Sequence, residues 1–386
     1  MIPDEIKQCI IKMFYKGYPY RLMHYILEKK KNFQISFQYL QHKVIPRLGL
    51  KRRNCRIDID TAISLAVSEI QNGCNGCENL RRSLKIKYHL QITRSLSREL
   101  VRILDADGIE RRKGRRLRRR KYISRGPNYV WHLDGYDKLK PFGICIHGCV
   151  DGFSRKIIWL CASITNKRPE VVADFFLKAV DNIKAFPSKI RCDPGTENGL
   201  TAAIQLTHTS DKKSVIYGSS VYNQRIERYW GWLRQSKSDF WINHFKCLEA
   251  DGILNVSSQI HKLCLQFVYL PIIQQDLAEL TVLWNSHNIR KQNQGDILSG
   301  IPDVLYHYPE VYGTSNFCIP ADDITLNFFK DQCTHEANLF KKIDEDFEAV
   351  LTELRDNLNI PPVIDSVQNA RYLFIYLKER MENLLS

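Results

Sequence analysis

Between Asn128 and Trp230 three acids stand in three different settings. Asp134 closes the apolar-aromatic run Tyr129-Val130-Trp131-His132-Leu133. Asp193 closes a shorter run, Lys189-Ile190-Arg191-Cys192, and leads into Pro194-Gly195-Thr196-Glu197-Asn198. Glu227 lies in Asn223-Gln224-Arg225-Ile226-Glu227-Arg228-Tyr229-Trp230, where Ile226, Trp230 and Leu233 recur at helical spacing. Two aspartates at strand ends and a glutamate on a nearby helix can converge on a pair of divalent cations. Such hard cations take oxygen ligands and keep positions open for phosphate oxygens. Two of them roughly 3.5–4 Å apart clamp the attacking and leaving oxygens of an in-line displacement at phosphorus. Any one of these acids alone reads as a surface carboxylate. An acid bordering a buried stripe, as Glu227 does, is costly unless paired or metal-bound.

The intervening pattern predicts an α/β unit. Strands are expected at Tyr129–Asp134, Gly143–Val150 and Lys156–Ile164, with Asp151-Gly152 as a tight turn between the second and third. Pro169 opens a helix to about Lys184, and Lys189–Cys192 is a fourth strand. A helix near Leu200–Leu206 and a short strand at Val215–Tyr217 precede the Glu227 helix. The first three strands are adjacent and antiparallel, and crossovers through helices make the later ones parallel to the first. Asp137 reads as a loop acid and Asp151 as a turn residue, and either is an alternative ligand.

These peptides together resemble the catalytic core of retroviral integrases and related DDE transposases. The resemblance rests on His132-Leu133-Asp134, Val150-Asp151-Gly152-Phe153-Ser154-Arg155, Asp193-Pro194-Gly195-Thr196-Glu197-Asn198 and Asn223-Gln224-Arg225-Ile226-Glu227-Arg228. It spans about 100 residues by motif and extends loosely to Gly313. Between Asp134 and Asp193 lie 58 residues, and between Asp193 and Glu227 lie 33, slightly fewer than is usual in that family. The resemblance implies a ribonuclease H-like mixed five-stranded sheet with flanking helices. It implies Asp134, Asp193 and Glu227 as catalytic residues holding two Mg²⁺ or Mn²⁺ ions. Asp134 would bridge both ions, Asp193 hold one and Glu227 the other. It further implies strand transfer on DNA by a homo-oligomer at paired ends. Asn198, Asn223 and Arg225 are candidates for holding DNA or ordering the acids, and Arg228 and Lys237 for phosphate contact. The closest likeness is to integrase-core proteins encoded in eukaryotic genomes and domesticated from mobile elements. A domesticated chain that binds nucleic acid, DNA or RNA, without catalysis is therefore the alternative reading.

Charge divides the chain. Residues 1–126 carry 30 Lys and Arg against 11 Asp and Glu, whereas residues 127–386 carry 27 against 31. A polyanion-binding front end on a near-neutral rear follows. Its densest part is residues 111–121, nine basic of eleven: Arg111, Arg112, Lys113, Arg115, Arg116, Arg118, Arg119, Arg120 and Lys121. Such a run stays solvated or meets an anion, and phosphate contact makes binding steeply salt dependent. It also reads as a nuclear localisation signal, which places the chain in the nucleus, with the cytoplasm as alternative. No signal peptide is visible, the 12 cysteines form no paired framework, and no apolar run reaches the roughly 20 residues of a membrane span.

Residues 1–56 read as three short helices of a helix-turn-helix type, the third capped by Ser36. That helix would present Gln38, Gln41, His42 and Lys43 to a major groove. The alternative is a small bundle with a solvated basic face. Residues 57–110 repeat the scheme, with Asp60 as a helix cap and Arg94 and Arg98 one turn apart. Cys74-Asn75-Gly76-Cys77 has a zinc-ligand spacing, but the histidine half is missing, and the peptide reads as a turn. Residues 111–126 are a basic linker, 127–312 the core with its closing helices, and 313–386 an acidic helical tail suited to assembly.

Overall fold

The computed structural model describes residues 2–51, 58–111, 124–218, 223–290, 298–341, 343, 345–358 and 366–385. The chain divides into two compact units, 1–116 and 117–386.

The second unit is built on a five-stranded sheet. Its strands are β1 (Trp131–Tyr136), β2 (Cys145–Asp151), β3 (Ile157–Ser163), β5 (Ile190–Cys192) and β6 (Val215–Tyr217). The order across the sheet is β3-β2-β1-β5-β6. β1 to β3 are antiparallel neighbours, and β5 and β6 run parallel to β1, as the alternation of strands and crossover helices requires. The chain reaches β5 through the helix Pro169–Ile183, whose inner face buries Val172, Phe176, Ala179 and Val180 against Trp131, Leu133 and Ile190. This topology brings the C-terminal ends of β1, β3, β5 and β6 to one edge of the sheet.

A two-residue strand, β4 (Ala185–Phe186), pairs with β7 (Ile319–Pro320), so the start of the tail is hydrogen-bonded to the core. The following helix, Asp323–Lys341, packs along Pro169–Ile183, and the last helix, Val367–Leu385, packs on Gln259–Asn285. The tail contains helix Glu345–Asp356 as well.

Three local features bear on the packing. Asp134 does not end its strand. Gly135 and Tyr136 continue the ladder opposite His147 and Ile146, so Asp134 projects from within β1, opposite Gly148. Gln259–Asn285 runs as one helix through Pro271, at a cost of about 3 kcal/mol for an interior proline. Packing against β3 and the last helix offsets that cost. In the first unit the cap of helix Ile59–Gln71 is Asp58, which accepts from the Asp60 amide, not Asp60 itself.

Asp151 is the most thoroughly enclosed of the acids. It is fully buried and accepts from the amides of Asn128 (2.7 Å), Phe153 (3.2 Å) and Ser154 (2.7 Å) and from the Ser154 hydroxyl (2.7 Å). It ties the entry of β1 to the β2–β3 turn and lies three residues along β2 from Gly148, away from Asp134. Its carboxyl is pushed up to about 6 by burial, with the four donors pulling the other way. Replacing Asp151 with Ala strands buried amides, each costing about 1–3 kcal/mol. Chemical denaturation of Asp151→Ala is expected to show a loss of roughly 3 kcal/mol or more.

Candidate active site

Local sequence places each acid. Asp193 is the first residue after β5, where Pro194-Gly195 stops the strand. Asn198 donates from Nδ2 to Asp193 Oδ1 at 2.8 Å, and Gly195 N approaches the same oxygen at 3.4 Å, so the carboxylate is held by its own loop. Glu227 sits in the first turn of helix Gln224–Leu233, its amide bonded to Asn223 O at 3.2 Å. A carboxylate there is favoured by the helix dipole.

The helix is fastened to β1 beside Asp134. Asn223, 2% exposed, receives a 2.6 Å hydrogen bond from His132 Nδ1 on its Oδ1 and donates from Nδ2 to Leu133 O at 2.8 Å. Both bonds fix the imidazole tautomer with its proton on Nδ1. Burial, together with the charges of Arg191 and Arg225, pushes His132 down to about 3, so it is neutral. Arg225 Nε donates to Gly152 O at 2.9 Å and pins the same helix start to the β2–β3 turn.

Trp230, one turn beyond Glu227, donates from Nε1 to Asp134 Oδ2 at 2.8 Å. Its ring lies over Gly148, where any Cβ would meet Trp230 Cη2 at 2.8 Å. The glycine opposite Asp134 is thus what admits the indole. The sequence pattern assigns Trp230 to the apolar stripe. Its i, i+3 relation to Glu227 and the need of a buried indole N–H for a partner were the available signals for a polar role.

Asp134 is pushed up to about 7, first by burial and then by the charges of Glu227 and Asp193, against the pull of the Trp230 bond. Glu227 is shifted upward too, by partial desolvation, with Lys138 opposing. Asp134 therefore feels the charge of both Glu227 and Asp193 at this edge of the sheet. The donor chemistry fits a hard divalent cation, since all three are carboxylates and a cation would relieve their repulsion. Their positions do not close around one, because among the described residues no group of three or more His, Cys, Asp and Glu side chains stands where it could hold a metal.

The other expected site residues are placed as follows. Asn198, 2% exposed, and Asn223 are turned inward and bonded to Asp193 and to β1. Arg225 is half-buried on Gly152. Lys237 is paired with Asp276 at 2.9 Å, both nearly covered. In the first unit, Ser36 caps as expected by accepting from the Tyr39 amide. Of the residues that follow, His42 and Lys43 are exposed and Gln41 is half-buried. Arg111 ends the helix Ala106–Arg111. Arg112, Lys113, Arg115, Arg116, Arg118, Arg119, Arg120 and Lys121 lie outside the described residues. Cys74 and Cys77 pack against a cluster of Leu80, Leu84, Leu100 and Val101, as apolar side chains do.

The strand order and the parallel half of the sheet are those of a ribonuclease H-like fold. Residues 121–298 match the family model of the integrase core domain. No curated protein matches the chain. Among solved structures, a chain of the simian T-cell lymphotropic virus intasome, determined by cryo-electron microscopy in complex with PP2A regulatory subunit B56 gamma, is similar. The match covers 64% of this chain and 76% of that one at 14% identity, with a TM-score of 0.32.

The raised Asp134 carboxyl sets a sign for the pH dependence of metal-free stability. Its folded value lies above its unfolded one, so its contribution is complete below about pH 4 and is lost as pH rises toward 7. The full effect is bounded at about 4 kcal/mol by 1.4 kcal/mol per unit. Thermal melts in chelator should show wild type falling in stability between pH 4 and pH 8. Asp134→Asn should lack most of that decline and be the more stable of the two at pH 8.

Proposed function

We propose that this chain is a DDE-type polynucleotidyl transferase that cuts and joins DNA phosphodiesters, working as a homo-oligomer on DNA ends in the nucleus. The observation that carries the reading is the placing of Asp134, Asp193 and Glu227 on three different elements, with Glu227 and Asp193 both acting on Asp134 and each acid held by its own internal support. In this reading Asp134, Asp193 and Glu227 would hold Mg²⁺ or Mn²⁺ once drawn closer than they stand here. Two bound ions would supply activation of the attacking hydroxyl and stabilisation of the leaving oxygen.

The chain's own groups position. Asn198 aims the Asp193 carboxylate. Trp230 orients Asp134 and leaves its Oδ1 without the indole's claim. Asn223 and neutral His132 set the distance from the Glu227 helix to β1. Exposed His42 and Lys43, and Arg94 and Arg98 on helix Arg94–Leu104, supply cationic and polar faces for duplex contact in the first unit. The basic run 111–121 adds sequence-independent affinity.

A catalytically silent nucleic-acid-binding protein is the competing reading, and the open arrangement of the carboxylates favours it. Nicking and strand-transfer assays with Mg²⁺ or Mn²⁺ separate the two. Wild type is expected to cut and join, and Asp193→Asn to fall by at least 100-fold while keeping DNA affinity. Equal activity in both proteins, or none in either, overturns the enzyme reading.

A further inference from the structure

The acid edge is bordered by lysines that the three catalytic candidates do not account for. Lys138 and Lys140 lie in the loop after β1, and Lys167 in the loop after β3. Those loops are clamped together by Asn166, 1% exposed, whose Nδ2 donates to Asp137 Oδ1 at 2.8 Å and approaches Ile146 O at 3.3 Å. Lys140 and Lys167 converge on the same oxygen, Asp137 Oδ2, at 3.6 and 3.8 Å. Lys167 also reaches Glu197 Oε1 at 3.0 Å, in the loop that carries Asp193. Lys138 is exposed and acts on the Glu227 carboxylate.

The Lys140 and Lys167 side chains remain about half exposed, 50% and 49%. Exposed ion pairs of this kind contribute little to stability, typically about 0–1 kcal/mol. Stability is therefore a weak reason for gathering them here. Set against Asp137 and Glu197, the three ammonium groups leave one positive charge in excess, bordering a site whose own groups are all acids. A phosphodiester approaching three carboxylates meets repulsion unless cations flank its path.

We propose that Lys138, Lys140 and Lys167 form a phosphate-contacting rim that guides the backbone of a DNA strand onto the acid edge. Asp137 and Glu197 hold the ammonium groups in place until phosphates replace them as partners. This rests on the reading of the site as one that acts on DNA, and it names the residues of the core that meet the substrate backbone.

The test is fluorescence anisotropy of the full chain with a blunt-ended duplex over a series of salt concentrations, in the Asp193→Asn background so that no turnover intervenes. The triple variant Lys138→Gln, Lys140→Gln, Lys167→Gln is compared with the triple Lys→Arg variant at the same positions. A charge control carries Lys178→Gln, Lys184→Gln and Lys246→Gln, all exposed and elsewhere on the unit. Each lost phosphate contact flattens the log–log salt slope by about 0.7–0.9. The rim Gln variant is expected to be shallower by about two, with the Arg variant and the control at the parent slope. A parent-like slope in the rim Gln variant, or an equal flattening in the control, overturns the rim. Strand transfer by the wild-type chain is scored separately. Activity with an unchanged rim slope sinks the rim alone, and a flattened slope with no Asp193-dependent activity sinks the reaction alone.

Discussion

One buried amide holds the site together. Asn223 takes a hydrogen bond from His132 and gives one to Leu133 O, joining the start of the Glu227 helix to the strand that carries Asp134. The two acids are 93 positions apart in the chain, and local structure cannot bring them together. Because His132 and Asn223 are both enclosed, breaking either bond leaves a polar group unpaired in the interior, which costs more than the bond itself contributes. The clasp is therefore stiff, and the spacing between β1 and the helix is fixed by packing and hydrogen bonding before any ligand arrives.

That rigidity has an electrostatic consequence. Asp134 is drawn into the shoulder of the sheet, where the charges of Glu227 and Asp193 reach it, with the Trp230 indole N–H and the Gly135 amide as direct compensation. The protein stores a destabilising charge arrangement at one edge and offsets it with enclosed aromatic packing, Trp230 against Tyr136 and across Gly148. Strained or repulsive groupings of this kind concentrate where a ligand is meant to relieve them. The parallel arrangement of β1, β5 and β6 makes the same edge the exit of every loop that supplies polar groups to it, including the loops bearing Lys138, Lys140 and Lys167.

The sheet was legible in the chain because the signals are local and repeated. Period-two runs, the Asp151-Gly152 turn, the proline that opens Pro169–Ile183 and the Pro194-Gly195 stop each act within a few residues. Contacts were less legible. Asn198 and Asn223 look like surface amides available to DNA, yet both are internal partners. Asp151 looks like an ordinary turn acid and is a fully enclosed four-donor acceptor. In each case the deciding atoms belong to residues far along the chain.

Sequence alone thus determined the class of fold, the antiparallel and parallel senses of its strands and the basic bias of the first third, since pattern, turn chemistry and charge are properties of neighbouring residues. Tertiary structure alone decided which oxygens of those acids are already claimed, that Trp230 reaches Asp134 over a glycine, and that β4 and β7 bind the tail to the core. The physical reason is range. Propensity and patterning act over a turn or a strand, whereas burial, hydrogen-bond satisfaction and charge coupling depend on where the folded chain returns to itself.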